Sequence, residues 1–174
     1  MNNDIYAEWL VKRKKPGYMP LVYIGLGLLV VIGLIASILN PFGFIVFLAA
    51  IGAAYFVNIR MHVEYEYVFV TNELSIDRIC AQKTRKRVQN LEMQKVEKMV
   101  STKSHEFDFA RNNPKLKIVD YSSGQKDANT YGITYSGSEG QVVYIIEPND
   151  ALLKCMKNAA PSKVVIDKTL TTNR

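Results

Sequence analysis

Two long runs of uncharged residues occupy the first third of the chain. The first extends over residues 21–39, and at about 1.5 Å per residue a helix of this length matches the hydrocarbon thickness of a bilayer. The second extends over residues 42–59 and is of similar length. Asn40 and Pro41 separate the runs, and proline interrupts a continuing helix but suits the first turn of a new one. The pattern predicts two membrane-spanning helices joined by a tight turn.

Two other interpretations of the apolar runs are a cleaved signal peptide and the buried hairpin of a soluble protein. A signal peptide has a shorter apolar region that ends at small residues, and Ala36-Ser37-Ile38 is a poor cleavage site. A signal peptide also leaves the second run unexplained, and neither interpretation accounts well for two consecutive uncharged runs of spanning length. The membrane hairpin is therefore favoured.

Basic residues flank the hairpin at one end only. A basic cluster precedes the first run, Arg60 follows the second, and the connecting turn has no charge. Because basic residues mark the cytosolic side, both termini are predicted to be cytosolic, in the cell membrane. Residues 1–17 are predicted to form an interfacial segment, since Ile5, Tyr6, Trp9 and Leu10 recur at roughly helical spacing. The predicted membrane-interface anchors are Trp9, Lys12, Arg13, Lys14, Lys15, Tyr18 and Arg60.

Small residues in both runs indicate where the helices approach each other. Small residues of the kind that let two helix backbones pack closely in lipid are Gly25, Gly33 and Ala36 in the first run and Ala49, Gly52, Ala53 and Ala54 in the second. The spacing of Ala49 and Ala53 is a further packing signal. It is also a candidate interface with other membrane proteins.

Apolar and polar residues alternate directly after the hairpin. Residues 63–69 follow the period of two of a half-buried strand, residues 71–73 form a turn, and Leu74 and Ile76 belong to the returning strand. Further along, residues 105–114 are predicted to be a surface loop and residues 115–121 a strand.

The last part of the chain predicts one more hairpin and a helix. Tyr131, Ile133 and Tyr135 alternate, residues 137–140 supply a loop, and residues 141–147 return. Asn149 is a suitable N-cap for an amphipathic helix that ends at Pro161. Val164 to Ile166 add an edge strand or pack on the sheet. About five strands are predicted in all, in a cytosolic α+β domain over residues 61–167 with a polar tail over 168–174.

The charge and the cysteines change this picture little. A formal net charge of +6 fits an anionic partner surface. Cys80 and Cys155 lie far apart and lack a C-x-x-C spacing, so we expect small core residues in a reducing compartment rather than a disulfide framework.

The sequence contains little that indicates catalysis. His62 and His105 are its two histidines, and His105-Glu106-Phe107-Asp108 lacks the second histidine of a zinc motif. Glu64 and Glu66 share one strand face, which we interpret as a solvated face rather than a pair of catalytic carboxylates. We therefore expect no metal, no cofactor and no enzymatic activity; an enzyme that uses Cys80 or His105 is the least favoured alternative.

One basic group is the best candidate for a binding site. It consists of Lys83, Arg85, Lys86 and Arg87. Basic side chains close to an anionic membrane leaflet are attracted to its headgroups, so this basic group is a candidate binding site for lipid or for a partner. The alternative is a solvated hairpin tip whose charges protect an edge strand from aggregation. Nucleic acid is not an expected partner, because no aromatic stacking motif accompanies the charges.

The order of these features resembles an uncharacterised family of small bacterial two-helix membrane proteins. It is a basic N-terminus, a two-helix hairpin and then the segments EYEYVFVTNELSID, KTRKR and IEPNDALLK. The strands after the membrane also resemble bacterial pleckstrin-homology-like (PH-like) domains. That resemblance implies an antiparallel sheet closed by a C-terminal helix, and it implies a strand near residues 91–100, where Val96 and Met99 also allow a helical turn.

The function expected from these observations is a non-catalytic, membrane-anchored module. It would present its PH-like domain to a membrane or cytosolic protein or to an anionic lipid surface. The alternative is a structural or accessory subunit of a larger membrane complex, with the small-residue helix faces as the interface. The sequence does not indicate an oligomeric state.

Overall fold

The first apolar run and the second form two antiparallel helices, as predicted. The computed structural model describes residues 6–137 and 140–166. Helix α1 is Met19–Leu39 and helix α2 is Pro41–Met61. Between them Asn40 is extended, and its side chain accepts a hydrogen bond of 3.1 Å from the backbone N–H of Phe42. Asn40 thus caps α2, and Pro41 occupies the first turn, where its missing N–H has no cost.

Both helices are long and apolar enough to cross a membrane, and little of either is covered by protein. Only 6% of the most apolar stretch of α1 and 11% of that of α2 is buried. The core helix of a soluble protein would be mostly buried, so this exposure fits helices that contact lipid.

The two helices approach most closely at two glycines, and Gly33 and Ala36 of the predicted small residues take part in these contacts. A Cβ atom on Gly43 would lie 2.2 Å from the backbone carbon of Ala36, and one on Gly33 would lie 2.9 Å from Cα of Phe47. Ala49 and Ala53 are exposed. The predicted role of small residues is thus confirmed for Gly33 and Ala36, whereas Ala49 and Ala53 do not lie at the close approach, because the backbones meet where a glycine has no side chain.

The first sheet has four strands in the order β1-β2-β3-β4. The strands are β1 (Tyr6–Lys12), β2 (Val63–Val70), β3 (Glu73–Cys80) and β4 (Thr84–Glu92). The strand, turn and strand predicted after the hairpin correspond to β2 and β3, whose connecting residues Thr71 and Asn72 have positive φ.

The helical interpretation of the N-terminal segment is wrong for its described part. Residues 6–12 form β1, which pairs antiparallel with β2 from Tyr6 opposite Val70 to Lys12 opposite Glu64. Ala7 and Val11 are buried in this strand while Glu8 and Lys12 are exposed. A distant partner strand therefore decided the conformation of a segment whose spacing by itself fits a helix. Ile5 lies outside the described residues.

The second sheet also has four strands, in the order β5-β7-β8-β6. They are β5 (Val96–Ser101), β6 (Lys117–Asp120), β7 (Tyr131–Gly137) and β8 (Gly140–Ile146). β7 pairs antiparallel with β5 and β8, whereas β6 pairs parallel with β8. Residues 91–100 thus form the end of β4, a turn and most of β5, and the described chain has eight strands rather than five.

Two short helices complete the domain. Helix α3 is His105–Arg111, where a loop was predicted; Phe107 is buried among Val100, Ala110 and Val143, which holds this segment as a helix. Helix α4 is Asp150–Ala159 and is capped as predicted, because Asn149 Oδ1 accepts a hydrogen bond of 2.8 Å from Leu152 N–H. After it Val164 forms a parallel bridge with Met99. The polar tail predicted over 168–174 lies outside the described residues.

Tyrosines connect the two sheets within the domain. Tyr67 is buried on β2, and its hydroxyl donates a hydrogen bond of 2.7 Å to the carbonyl of Tyr121 after β6. The ring of Tyr121 lies edge-on to Tyr65 and stacks on Tyr144 of β8. Aromatic pairs of this kind are favourable beyond the area they bury.

By its contacts the chain divides into two units. The hairpin unit consists of Lys14–Val63 and Cys80–Thr84, so the turn between β3 and β4 belongs to it. The rest of the described chain forms the domain unit, which contains most of both sheets.

Candidate functional site

The outward face of the first sheet is charged across all four strands. Side chains alternate between the two faces of a strand, so Glu8 of β1 and Glu66 of β2 lie on one face while Tyr65 and Tyr67 point into the core. Asp77 of β3 and Arg85 of β4 continue this face. The same period of two that builds the core therefore brings acidic and basic side chains together.

Two arginines of the predicted basic group are bound to buried carboxylates. Arg85 Nε donates to Asp77 Oδ2 at 2.7 Å, and Arg87 Nε donates to Asp77 Oδ1 at 3.2 Å. The other arm of the Arg85 guanidinium contacts Glu66. Glu66 and Asp77 are only 6% and 4% exposed. We call these residues the charge network: Glu8, Glu66, Asp77, Arg85 and Arg87.

The acids of the charge network differ in pKa. Burial works against the ionised form of Asp77, but the hydrogen bonds from Arg85 and Arg87 outweigh it and lower its pKa. Burial first, and then a hydrogen bond that the protonated Glu66 donates to Glu8, raise the pKa of Glu66, and the nearby Arg85 only partly opposes this. On Glu8 the hydrogen bond from Tyr6 and the one with Glu66 lower the pKa.

The four residues of the basic group do not form one site. Arg85 and Arg87 belong to the charge network, and Lys86, which lies between them on β4, points to the opposite face and is exposed. Lys83 precedes β4, is also exposed and belongs to the hairpin unit. Within the described residues neither lysine has an ion-pair partner.

The predicted interface anchors also divide into engaged and free side chains. Lys12 Nζ lies 3.8 Å from Glu64, and Arg13 Nη1 donates to the hydroxyl of Tyr65 at 2.9 Å. Trp9 lies on β1 opposite Tyr67 and is partly exposed. These three residues belong to the domain unit.

The remaining anchors belong to the hairpin unit. Arg60 lies over the ring of Phe56, 4.4 Å from its centroid, and Tyr18 is 58% exposed. Lys14 and Lys15 are exposed and form no ion pair in the part of the chain that the structure describes.

Sequence reasoning missed the two buried acids. The interpretation of Glu66 as part of a solvated face is wrong, because the arginine contact and the neighbouring strands cover it. A signal was present: acids at 66 and 77 and arginines at 85 and 87 all fall at outward positions of consecutive strands. Only the strand order makes them neighbours.

The residues considered for chemistry are scattered. His105 is fully exposed at the start of α3, and its Nδ1 lies 3.5 Å from Asp108. Cys80 and Cys155 form no disulfide within the described residues; Cys155 is buried and Cys80 is half-buried. No group of three His, Cys, Asp or Glu side chains in residues 6–137 and 140–166 has a geometry that would hold a metal ion.

Two apolar helices long enough to span a membrane, followed by an α+β domain of two four-stranded sheets and a last helix, define a membrane-associated protein of the PH-like class. The chain belongs to the family described as Bacterial PH-like domain (DUF6106), whose model matches residues 3–166. The match includes β1 and the hairpin as well as the strands that follow. No curated protein and no solved structure matches the chain significantly.

Proposed function

We propose that this protein is a non-catalytic module that anchors a PH-like domain in the cell membrane and presents it to a protein partner in the cytosol. The observation that carries the proposal is the position of the hairpin between β1 and β2, two strands that pair with each other over seven residues. The domain is therefore connected to the membrane segment by two chain connections rather than one. Such a connection suits a module whose task is to hold a domain at a surface.

The charge network supports a protein rather than a lipid as the ligand of the domain itself. An arginine that already donates to a buried carboxylate gains less from a phosphate than a free one does. Apolar exposure in the domain points the same way: Phe109 of α3 is 77% exposed, which is unusual for a large aromatic side chain. Aromatic side chains are enriched at protein interfaces.

The proposal includes a cytosolic orientation of both ends of the hairpin. The cations Lys14, Lys15 and Arg60 flank the hairpin on one side, as expected for the cytosolic leaflet. With the chain so oriented, helix α4 ends the domain on the cytosolic side, and we infer that it closes the PH-like fold there. A reporter that is active only in the cytosol, fused to the C-terminus, should be active; an inactive reporter contradicts this orientation.

The partner is tested by crosslinking in intact cells. A photoreactive residue replaces Phe109 in the full chain, and crosslinked proteins are identified after membrane isolation. We expect one reproducible product that is lost when the photoreactive residue is moved to Lys126, an exposed position far along the chain. If the two positions capture the same products, or if neither captures any, the proposed role of the domain is wrong.

A second candidate is an accessory subunit of a larger membrane complex. Ala49 and Ala53 of α2 are exposed and do not form the close approach to α1, so they leave a small-residue face for another helix. Replacing both by leucine should then shift the migration of the complex on native gels. Ile51→Phe, a bulky change at an exposed position of the same helix, is the control and should leave migration unchanged.

A further inference from the structure

The hairpin unit contains cations and no acidic residue. Its sequence includes Lys14, Lys15, Arg60 and Lys83, and no Asp or Glu occurs in Lys14–Val63 or Cys80–Thr84. The turn around Asn40, at the far end of the hairpin, has no charge. All of the formal charge of the hairpin unit therefore lies at one end, and this charge is positive.

The four cations come from three separate stretches of chain that the fold brings to the same end. Tyr23 near the start of α1 donates to Asn58 near the end of α2 at 3.3 Å, so these two helix ends are adjacent. The backbone N–H of Ala81 donates to the carbonyl of His62 at 2.7 Å, which attaches the turn between β3 and β4 to the end of α2. Lys83 is the exposed basic residue of that turn.

The shape of this turn fixes where Lys83 emerges. Ala81 and Gln82 both have positive φ, 50° and 57°, and the N–H of Lys83 donates to the carbonyl of Cys80 at 3.1 Å. Two consecutive non-glycine residues in the left-handed region are uncommon, and they persist only where surrounding contacts hold them. The hydrogen bond from Ala81 to the end of α2 is such a contact.

No carboxylate of residues 6–137 or 140–166 neutralises these cations. Lys12, Arg85 and Arg87 each lie against a carboxylate and Arg13 donates to a tyrosine hydroxyl. In contrast, no described residue forms an ion pair with Lys14, Lys15, Arg60 or Lys83. Arg60 lies over the face of the Phe56 ring, which does not neutralise its charge. A group of unpaired cations beside two apolar helices matches the one surface that such helices enter, the headgroup layer of a bilayer.

We propose that Lys14, Lys15, Arg60 and Lys83 form a basic collar that binds the phosphate groups of anionic phospholipids in the leaflet where the hairpin begins and ends. The proposal rests on the membrane anchoring in the proposed function and not on its protein partner. It separates Lys83, which belongs to the collar, from Lys86, three residues later, which does not. Sequence proximity groups these two lysines together, and the fold divides them.

The expected size of the effect follows from the electrostatics of a leaflet. One lysine near an anionic surface changes the binding constant about fivefold. The interaction falls off within a Debye length of about 8 Å at physiological ionic strength, so it should weaken as salt is added.

The test measures which lipids the full chain retains. The protein is reconstituted in bilayer nanodiscs of phosphatidylcholine and phosphatidylglycerol, released into mild detergent, and its bound lipids are counted by native mass spectrometry. We expect enrichment of phosphatidylglycerol on the wild-type chain, an enrichment about fivefold lower for Lys83→Gln, and none when all four collar residues are glutamine. Lys86→Gln is the matched control and should retain the wild-type enrichment.

Other outcomes overturn the proposal. If the wild-type chain retains both lipids equally, the basic collar does not select anionic lipid. If Lys83→Gln and Lys86→Gln lose the same enrichment, lipid retention depends on the total charge of the protein and not on the collar. Displacement of the lipid by inorganic phosphate at constant ionic strength would indicate a site for the free anion instead. Circular dichroism of each variant checks that it is folded. Crosslinking at Phe109 tests the partner independently, so either proposal can fail without the other.

Discussion

Asp77 of β3 accepts a hydrogen bond of 2.7 Å from Nε of Arg85, one of the four residues predicted as a lipid or partner site. The carboxylate is 4% exposed while the arginine side chain is 54% exposed. The pair is thus buried on one side and hydrated on the other. This geometry makes Asp77 the residue on which the charge network depends.

Asp77→Asn should destabilise the domain by about 1–3 kcal/mol, because Arg85 and Arg87 lose their charged acceptor and the buried amide is poorly paired. The folded-state pKa of Asp77 is lowered, so its contribution is present above the unfolded pKa, near 3.8, and is lost as pH falls through the lower folded value. Thermal unfolding of the detergent-solubilised chain should therefore separate the two proteins at neutral pH and bring them together in strong acid. A constant difference at every pH contradicts the charge assignment.

Glu66→Gln should behave in the opposite sense. The pKa of Glu66 is raised by burial first, so the fold favours the protonated carboxyl, and its contribution is present below the unfolded pKa and lost as pH rises through the folded one. Glutamine resembles the protonated acid at every pH. The Tm of Glu66→Gln should therefore rise relative to that of the wild-type chain as pH increases from acid to neutral. A growing disadvantage over that interval would mean that the ion contact with Arg85 dominates.

Gly43→Ala should loosen the helical hairpin. The new Cβ would lie 2.2 Å from the backbone of Ala36, so the helices must separate, at a cost of about 1–3 kcal/mol. Gly52→Ala in the same helix meets no atom within 4 Å and is the control. Resistance to unfolding by sodium dodecyl sulfate, followed by circular dichroism, should fall for the first variant only.

Gly132→Ala should destabilise the second sheet by about 1–3 kcal/mol, since its Cβ would lie 2.2 Å from the ring of buried Phe107. This contact fixes α3 on β7, so α3 should become more accessible to protease. Gly137→Ala on the same strand meets only ordinary contacts near 3.7 Å and should be close to neutral. Equal cleavage of the two variants would contradict the assigned role of Phe107.

Asn149→Ala should cost about 1 kcal/mol, because the N-cap bond to Leu152 N–H is lost. Asn158→Ala, an exposed position within α4, removes the same side chain without removing a cap. Chemical denaturation in detergent should rank the cap variant as the less stable one. The reverse order would show that the cap contributes little to α4.

Sequence by itself determined the features that depend on local pattern. Two uncharged runs of bilayer length predicted α1 and α2, the alternation after residue 62 predicted β2 and β3, and Asn149 predicted the start of α4. The sequence also predicted the PH-like class, because the order of these elements resembles that of the family to which the chain belongs. Each of these signals is contained in a short window.

Tertiary structure decided what depends on partners distant in sequence. Residues 6–12 have a helical spacing but form β1, because β2 offers a ladder of hydrogen bonds more than fifty residues away. Arg85 and Lys83 look equivalent in the sequence, yet strand pairing gives one a buried carboxylate and a turn attached to His62 gives the other an exposed position in the hairpin unit. The charge of a residue is written in the sequence, but whether that charge is already neutralised depends on which strands become neighbours.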